Sequence, residues 1–167
     1  MVIDPRQEAS TPDILWQKIN ALWDFQIDVC ASFTNRKCER YYDGAFQDAL
    51  DDQYEWVNEN HQRAFCNPPF GKMQPWIEKA IREYQKRPDA VVVVLGKNDP
   101  STKWYRLAQE HCYVIDLAGK RVQFDPAPGI KFTQNNHCNS LFVFGGPPVS
   151  SFGKHFKTNK CNWYWSE

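Results

Sequence analysis

Apolar positions along this 167-residue chain follow two periods, and the period switches several times. Ile14, Leu15, Ile19, Leu22 and Trp23 recur at helical spacing. Thr11-Pro12-Asp13 before them offers an N-cap, a proline for the first helical position and a first-turn acid, so a helix is predicted through about residue 23. In "FQIDVCAS" (25–32) Phe25, Ile27 and Val29 alternate and small residues follow Asp28, which predicts a strand ending in a tight turn. "NRKCERYYDG" (35–44) reads as a short helix running into a second strand that ends near Asp43-Gly44, and the acidic stretch 45–62 as loops with a helical turn. "RAFC" (63–66) is a short buried strand stopped by Asn67-Pro68. From Pro75, residues Trp76, Ile77, Ala80, Ile81 and Tyr84 keep helical spacing to about residue 86. "AVVVVLG" (90–96) is a continuous β-branched run, the pattern of a central strand buried on both faces. Ser101-Thr102 caps a helix to about His111, and "CYVIDL", "VQF" and "SLFVFG" are further strands. Residues 125–139 form a long Pro/Gly/Asn loop, of a length that often carries function. Residues 1–10 are expected to be a flexible arm, 11–146 one domain, and 147–167 a basic, aromatic tail without a period.

Strands alternating with helices predict an α/β fold with a mostly parallel sheet, in which ligands bind beyond the carboxyl ends of the strands. Asp28, Asp43, Asn67 and Gly96 all fall at predicted strand ends and so converge on one edge.

Composition adds limits. A hydrophobic content of 42% supports a real core, and no apolar run is long enough to span a membrane. The N-terminus lacks the features of a secretory signal, and six scattered cysteines without a CxxC pair suggest reduced thiols in a cytoplasmic protein. Four scattered histidines are expected at the surface, and no metal is expected. The formal net charge is zero but unevenly spread: residues 1–60 hold twelve Asp/Glu and five Lys/Arg, and residues 61–167 hold eight and fifteen. That asymmetry permits a basic face for a polyanion.

The chemistry concentrates in "FCNPPFG" (65–71). Asn67 offers a side-chain carbonyl, and Pro68 a backbone carbonyl on a chain stiffened by Pro69. Two fixed acceptors match the two hydrogens of an exocyclic amine, whose nitrogen lone pair is then drawn out of ring conjugation. Phe70 can stack on the flat ring that carries the amine. The tetrad fits a planar amine held for attack on an electrophile, and Cys66 beside it is read as packing.

"NPPF" after a strand resembles the catalytic motif of S-adenosylmethionine-dependent amino-methyltransferases. The ordered set "TPDILWQKIN", "FQIDVCAS", "NRKC", "FCNPPFGKMQPWIEKA", "VVVVLGKNDPSTKWY" and "GKRVQF" resembles the bacteriophage and prophage Dam-like DNA N6-adenine methyltransferases over roughly residues 11–145. The resemblance implies a single-domain Rossmann-like methyltransferase fold, S-adenosylmethionine as cofactor, double-stranded DNA as partner, and action in the cytoplasm of a bacterial host. It implies that Asn67, Pro68, Pro69 and Phe70 hold and stack a flipped-out adenine. It further implies that Thr11, Pro12, Asp28, Cys30, Ala31 and, more weakly, Asp48 meet the cofactor. Lys120, Arg121, Phe124 and Lys131 are the candidates for DNA. The chain departs from many methyltransferases in having no glycine in "DVCAS", and Phe70 stands where Tyr is frequent. Two other functions fit parts of the pattern: a methyltransferase acting on a glutamine amide, and a non-catalytic relative that serves as a binding protein, favoured by the glycine-poor turn.

Overall fold

The computed structural model describes residues 9–117, 121–126, 129 and 137–146. Among the described residues three α-helices and six strands follow in this order: α1 (Asp13–Trp23), β1 (Ile27–Ala31), β2 (Arg40–Asp43), β3 (Arg63–Cys66), α2 (Met73–Lys86), β4 (Val91–Lys97), α3 (Lys103–Gln109), β5 (Tyr113–Asp116) and β6 (Asn139–Gly145). They build one sheet in the order β2-β1-β3-β4-β6-β5. β1 pairs in parallel with β2 and β3, and β3 with β4. β6 runs antiparallel to both β4 and β5, so the sheet is mostly parallel, as the alternation of elements predicts.

The side chains of β4 show why it lies inside the sheet. Val92 and Val94 join α2 and α3 residues, including Ile77, Ala80, Trp104 and Ala108, in one apolar cluster. Val91, Val93 and Leu95 join Leu15, Ile19 and Trp23 of α1 in a second cluster on the opposite face. The period-2 alternation of a strand thus feeds two helical layers. Gly96 near the rim is a close-approach glycine: a Cβ there would lie 2.7 Å from Met73 Cε.

Several elements differ from the sequence reading. α1 begins one residue later, with Pro12 as its N-cap rather than Thr11. α2 begins at Met73, ahead of Pro75, and is preceded by a 3-10 turn over Phe70–Lys72. Pro75 is tolerated as the third residue because first-turn N–H groups have no intrahelical acceptor. Residues 33–35 form a turn and 37–39 a bend, with no helix. Arg36 spends its side chain over the rings of Phe33 and Tyr41, at 4.7 and 5.0 Å. "VQF" is not a strand; only a bridge between Asp125 and Ser10 forms beside it. Asp28 sits at the second position of β1 rather than at its end. His61, expected at the surface, is 5% exposed, with its ring against Arg40 and the Glu55 carbonyl. Thr102 does cap α3, its hydroxyl accepting from Tyr105 N.

α2 also buries a pair that its sequence disguises. Lys79 and Glu83 are both fully buried, with Nζ 2.7 Å from Oε1. Lys79 reaches Asp52 at 3.3 Å and the Asp51 carbonyl at 3.4 Å. Glu83 Oε2 accepts from the backbone N–H groups of Trp56 and Val57 at 2.9 and 3.4 Å. In sequence they read as an ordinary exposed i,i+4 pair. In the fold they tie the loop after β2 to the helix that follows the Pro-Pro tetrad.

Candidate active site

The chain leaves β1 toward β2 on one side, whereas β3 leads to β4 on the other. β1 and β3 are therefore adjacent strands whose connections depart in opposite directions, and a crevice opens at their carboxyl ends. Asn67 follows Cys66, the last residue of β3, directly into this crevice.

The Asn67 amide donates from Nδ2 to Thr11 Oγ1 at 3.1 Å. Thr11 is 2% exposed and is held by the neighbouring bridge, in which Ser10 N donates to Asp125 O at 2.7 Å and Asp125 N to Ser10 O at 2.9 Å. Thr11 therefore fixes the amide plane and leaves Oδ1 aimed away from it. Among the described residues neither Asn67 Oδ1 nor the Pro68 carbonyl accepts a hydrogen bond. Pro68 is buried and Asn67 half-buried. The first turn beyond instead uses the Pro69 carbonyl, which accepts from Lys72 N at 3.2 Å.

Phe70 meets Phe124 edge to face with ring centroids 5.5 Å apart. Phe70 packs against the α2/α3 cluster and Phe124 against the α1 cluster. Three segments far apart in sequence (10–12, 67–70 and 121–125) thus meet at one rim. Phe124 belongs to this group, and Arg121 lies exposed three residues before it. Lys120 and Lys131 lie outside the described residues.

Asp28 is 3% exposed and organises the turn that follows it. Its Oδ1 accepts from Cys30 N at 3.3 Å and its Oδ2 from Lys37 N at 3.0 Å. Lys37 also pairs with Asp13 at the start of α1, at 2.7 Å. The turn needs no glycine: among described non-glycine residues only Asp24 has positive φ, at 51°. The Asp28 carboxylate closes the turn by accepting from the Cys30 and Lys37 N–H groups.

Burial raises the Asp28 carboxyl from 3.8 to about 6, against the opposing pull of the two N–H bonds and of Lys37. Between those values the folded protein holds a proton that the unfolded chain has released. Stability therefore falls as pH rises through that window, by up to roughly 3 kcal/mol for a shift of about two units. Asp28→Asn is expected to flatten this part of the stability curve, measured by urea unfolding between pH 4 and 7. An unchanged slope would show that Asp28 does not titrate there.

Cys30 is half-buried and borders Cys66, which is fully buried. Burial pushes the Cys66 thiol well up, so it is no nucleophile and packs as expected. Pro12 and Ala31 are partly exposed on either side of the crevice. Asp48 is not brought into this group: it is exposed and caps its own turn, accepting from Leu50 N at 3.0 Å. Asp43, the last residue of β2, lies at the same edge as the crevice, with Oδ1 accepting from Ala45 N at 3.0 Å.

A family profile described as DNA N-6-adenine-methyltransferase (Dam) matches residues 4–160. The chain belongs to the Dam family. It is accordingly a DNA adenine-N6 methyltransferase that uses S-adenosylmethionine as methyl donor. No curated relative matches the chain. Among the described residues there is no helix long and apolar enough to cross a membrane and no cluster of three or more metal-ligating side chains.

The residues at the crevice fit this cofactor. Asp28 and Asp43 end or approach the ends of neighbouring strands, and each carboxylate keeps lone pairs beyond those its turn uses. With the cofactor bound, they would offer acceptors to its ammonium and its ribose hydroxyls. When bound, S-adenosylmethionine supplies an electrophilic methyl group.

Proposed function

We propose that the enzyme acts on an adenine extruded from the duplex, with Asn67, Pro68 and Phe70 as the residues that touch it. The observation that carries this reading is the pair of unclaimed acceptors, Asn67 Oδ1 and the Pro68 carbonyl, on adjacent residues of a proline-fixed turn. An N6 amine donating to both keeps its lone pair off the ring, where it can attack a methyl carbon in line. No covalent enzyme intermediate is required. Thr11 orients the Asn67 amide rather than touching the cofactor. Pro69 stiffens the turn, and Phe70 with Phe124 forms an aromatic wall against which the purine stacks.

Asp28, Cys30 and Ala31, with Pro12 opposite, border the cofactor in this reading, and Asp43 takes the place given by sequence to Asp48. The strand order and the crevice between β1 and β3 support a Rossmann-like arrangement. The enzyme, phage or prophage encoded in this reading, would act in the cytoplasm of a bacterial host.

The test is methyl transfer from labelled S-adenosylmethionine to unmethylated duplex DNA, followed by digestion and nucleoside analysis. N6-methyladenine is the expected product; N4-methylcytosine alone would overturn the base assignment. Phe70→Ala should lower kcat/KM by the worth of one stacked base, about 1–3 kcal/mol or 5- to 150-fold, while Phe70→Tyr and Phe70→Trp retain most activity. Equal losses in all three variants would argue against stacking.

A further inference from the structure

We propose that Lys97, Arg121 and His137 form a phosphate-contact site that grips the DNA backbone beside the extruded nucleotide. The frame for this site is Asn139, which is fully buried at the start of β6. Its Oδ1 accepts from Val122 N at 2.9 Å, its Nδ2 donates to the Gly96 carbonyl at 3.2 Å, and its own carbonyl accepts from Leu117 N at 3.1 Å. One side chain thus fastens the segment carrying Arg121 to the end of β4. Lys97 pairs with Asn139 in the ladder, and Asn98 N donates to Cys138 O at 2.8 Å, which brings the chain at His137 to the same corner.

Strand alternation decides which face the lysine takes. Val93 and Leu95 face the α1 side, and a Cβ on Gly96 would meet Met73 and Phe142 of the other cluster. Lys97 therefore returns to the α1 side, where Val122 and Phe124 lie. The three groups sense one another: desolvation first, and then Lys97 and Arg121, disfavour the charged form of His137, against the pull of Asp99. Among the described residues no carboxylate lies within ion-pair distance of Lys97 or Arg121. Asp99, which acts on both Lys97 and His137, places Oδ1 on the Ser101 N–H and hydroxyl and lies outside ion-pair distance of Lys97. Lys97 and Arg121 can therefore meet an external anion.

The site is also in the right place. β3 and β4 are paired with Cys66 opposite Val94, so Asn67 follows one residue and Lys97 three residues after the paired level. By ladder spacing Lys97 stands one strand over, about 4.8 Å, and two residues farther along, about 7 Å. A backbone phosphate next to a base held on Asn67 falls within reach of that rim. Sequence placed Arg121 near DNA but gave no reason to join it to Lys97 or His137, which are distant in the chain.

This inference rests on the placement of the target base at Asn67 and Phe70. The experiment is duplex-DNA binding over a range of salt concentrations for the full chain. Lys97→Ala/Arg121→Ala is expected to weaken binding and flatten the log–log salt slope by about two units, close to one for each lost phosphate contact. His137→Ala should weaken binding with little change of slope at pH 7.5, because partial burial and the neighbouring cations hold the ring below its ordinary range. Lys97→Arg/Arg121→Lys keeps both charges and should keep the parent slope. The melting shift induced by S-adenosylmethionine reports that each variant is folded. A parent-like slope in the double alanine variant, or a flattened slope in the charge-keeping variant, overturns the site. If Asn67→Ala abolishes turnover while the double alanine variant binds like the parent, only this inference fails. If Asn67→Ala turns over normally, the base placement fails with it.

Discussion

Asn67→Ala is expected to lower methyl transfer by about 10²-fold or more, the cost of losing one preorganised polar group at a reacting centre. Among the described residues nothing donates to this amide carbonyl at the tip of β3, and without it the amine keeps one hydrogen bond and more of its conjugation. The loss should fall on kcat, because the interaction grows as N6 becomes tetrahedral. Cofactor binding, read as a melting shift, should hardly change. Thr11→Val offers an internal comparison. It removes the hydroxyl that receives Nδ2 at 3.1 Å but leaves the amide in place. Its effect on kcat should be real but smaller than that of Asn67→Ala, since a freed amide still visits the productive orientation. Parent-like turnover by Asn67→Ala would sink the mechanism.

Lys79→Met should destabilise the fold by about 3–5 kcal/mol, the usual cost of leaving one member of a buried pair uncompensated. Glu83 has no exposure at all and cannot turn its charge to water. Replacing both residues, as Lys79→Met/Glu83→Leu, should recover only part of the loss. The charge is gone, but the N–H groups of Trp56 and Val57 lose their acceptor, at roughly 1–3 kcal/mol for a buried donor left unpaired. Urea unfolding of the parent, both single variants and the double variant closes the cycle. A Lys79→Met variant within about 1 kcal/mol of the parent would show that this pair does not hold the loop.

The pair also illustrates a limit of reading one dimension. Lys79 and Glu83 are an i,i+4 pair on an amphipathic helix, and local spacing cannot tell a solvated pair from a buried one. Burial arises only because the loop from Asp51 to Val57 folds over that face of α2.

Some features were legible because they depend on near neighbours. The β-branched run 91–94, the Thr102 cap and the rigid Asn-Pro-Pro turn each follow from side-chain shape, from backbone dihedrals, or from a donor and acceptor a few residues apart. The motif chemistry, two acceptors followed by a stacking ring, was likewise written locally in residues 67–70. What the sequence left open was set by contacts across the sheet. Thr11 looked like a helix cap, but Pro12 takes that place and the Thr11 hydroxyl receives Asn67, 56 residues away. Asp28 read as an acid at a strand end; the fold sets it at the second position of β1 and adds a second task, closing a glycine-free turn by accepting from Cys30 and Lys37. Asp48 was suggested by the family resemblance alone; in the fold it is exposed and accepts from Leu50 N in its own turn. "VQF" looked like a strand, yet its hydrogen bonds go to the Asn139 side chain and, through Asp125, to Ser10. Hydrophobic period and turn chemistry fix which segments become strands and helices, whereas the partner of a polar group is decided by strand order, which brings together residues that share no local signal.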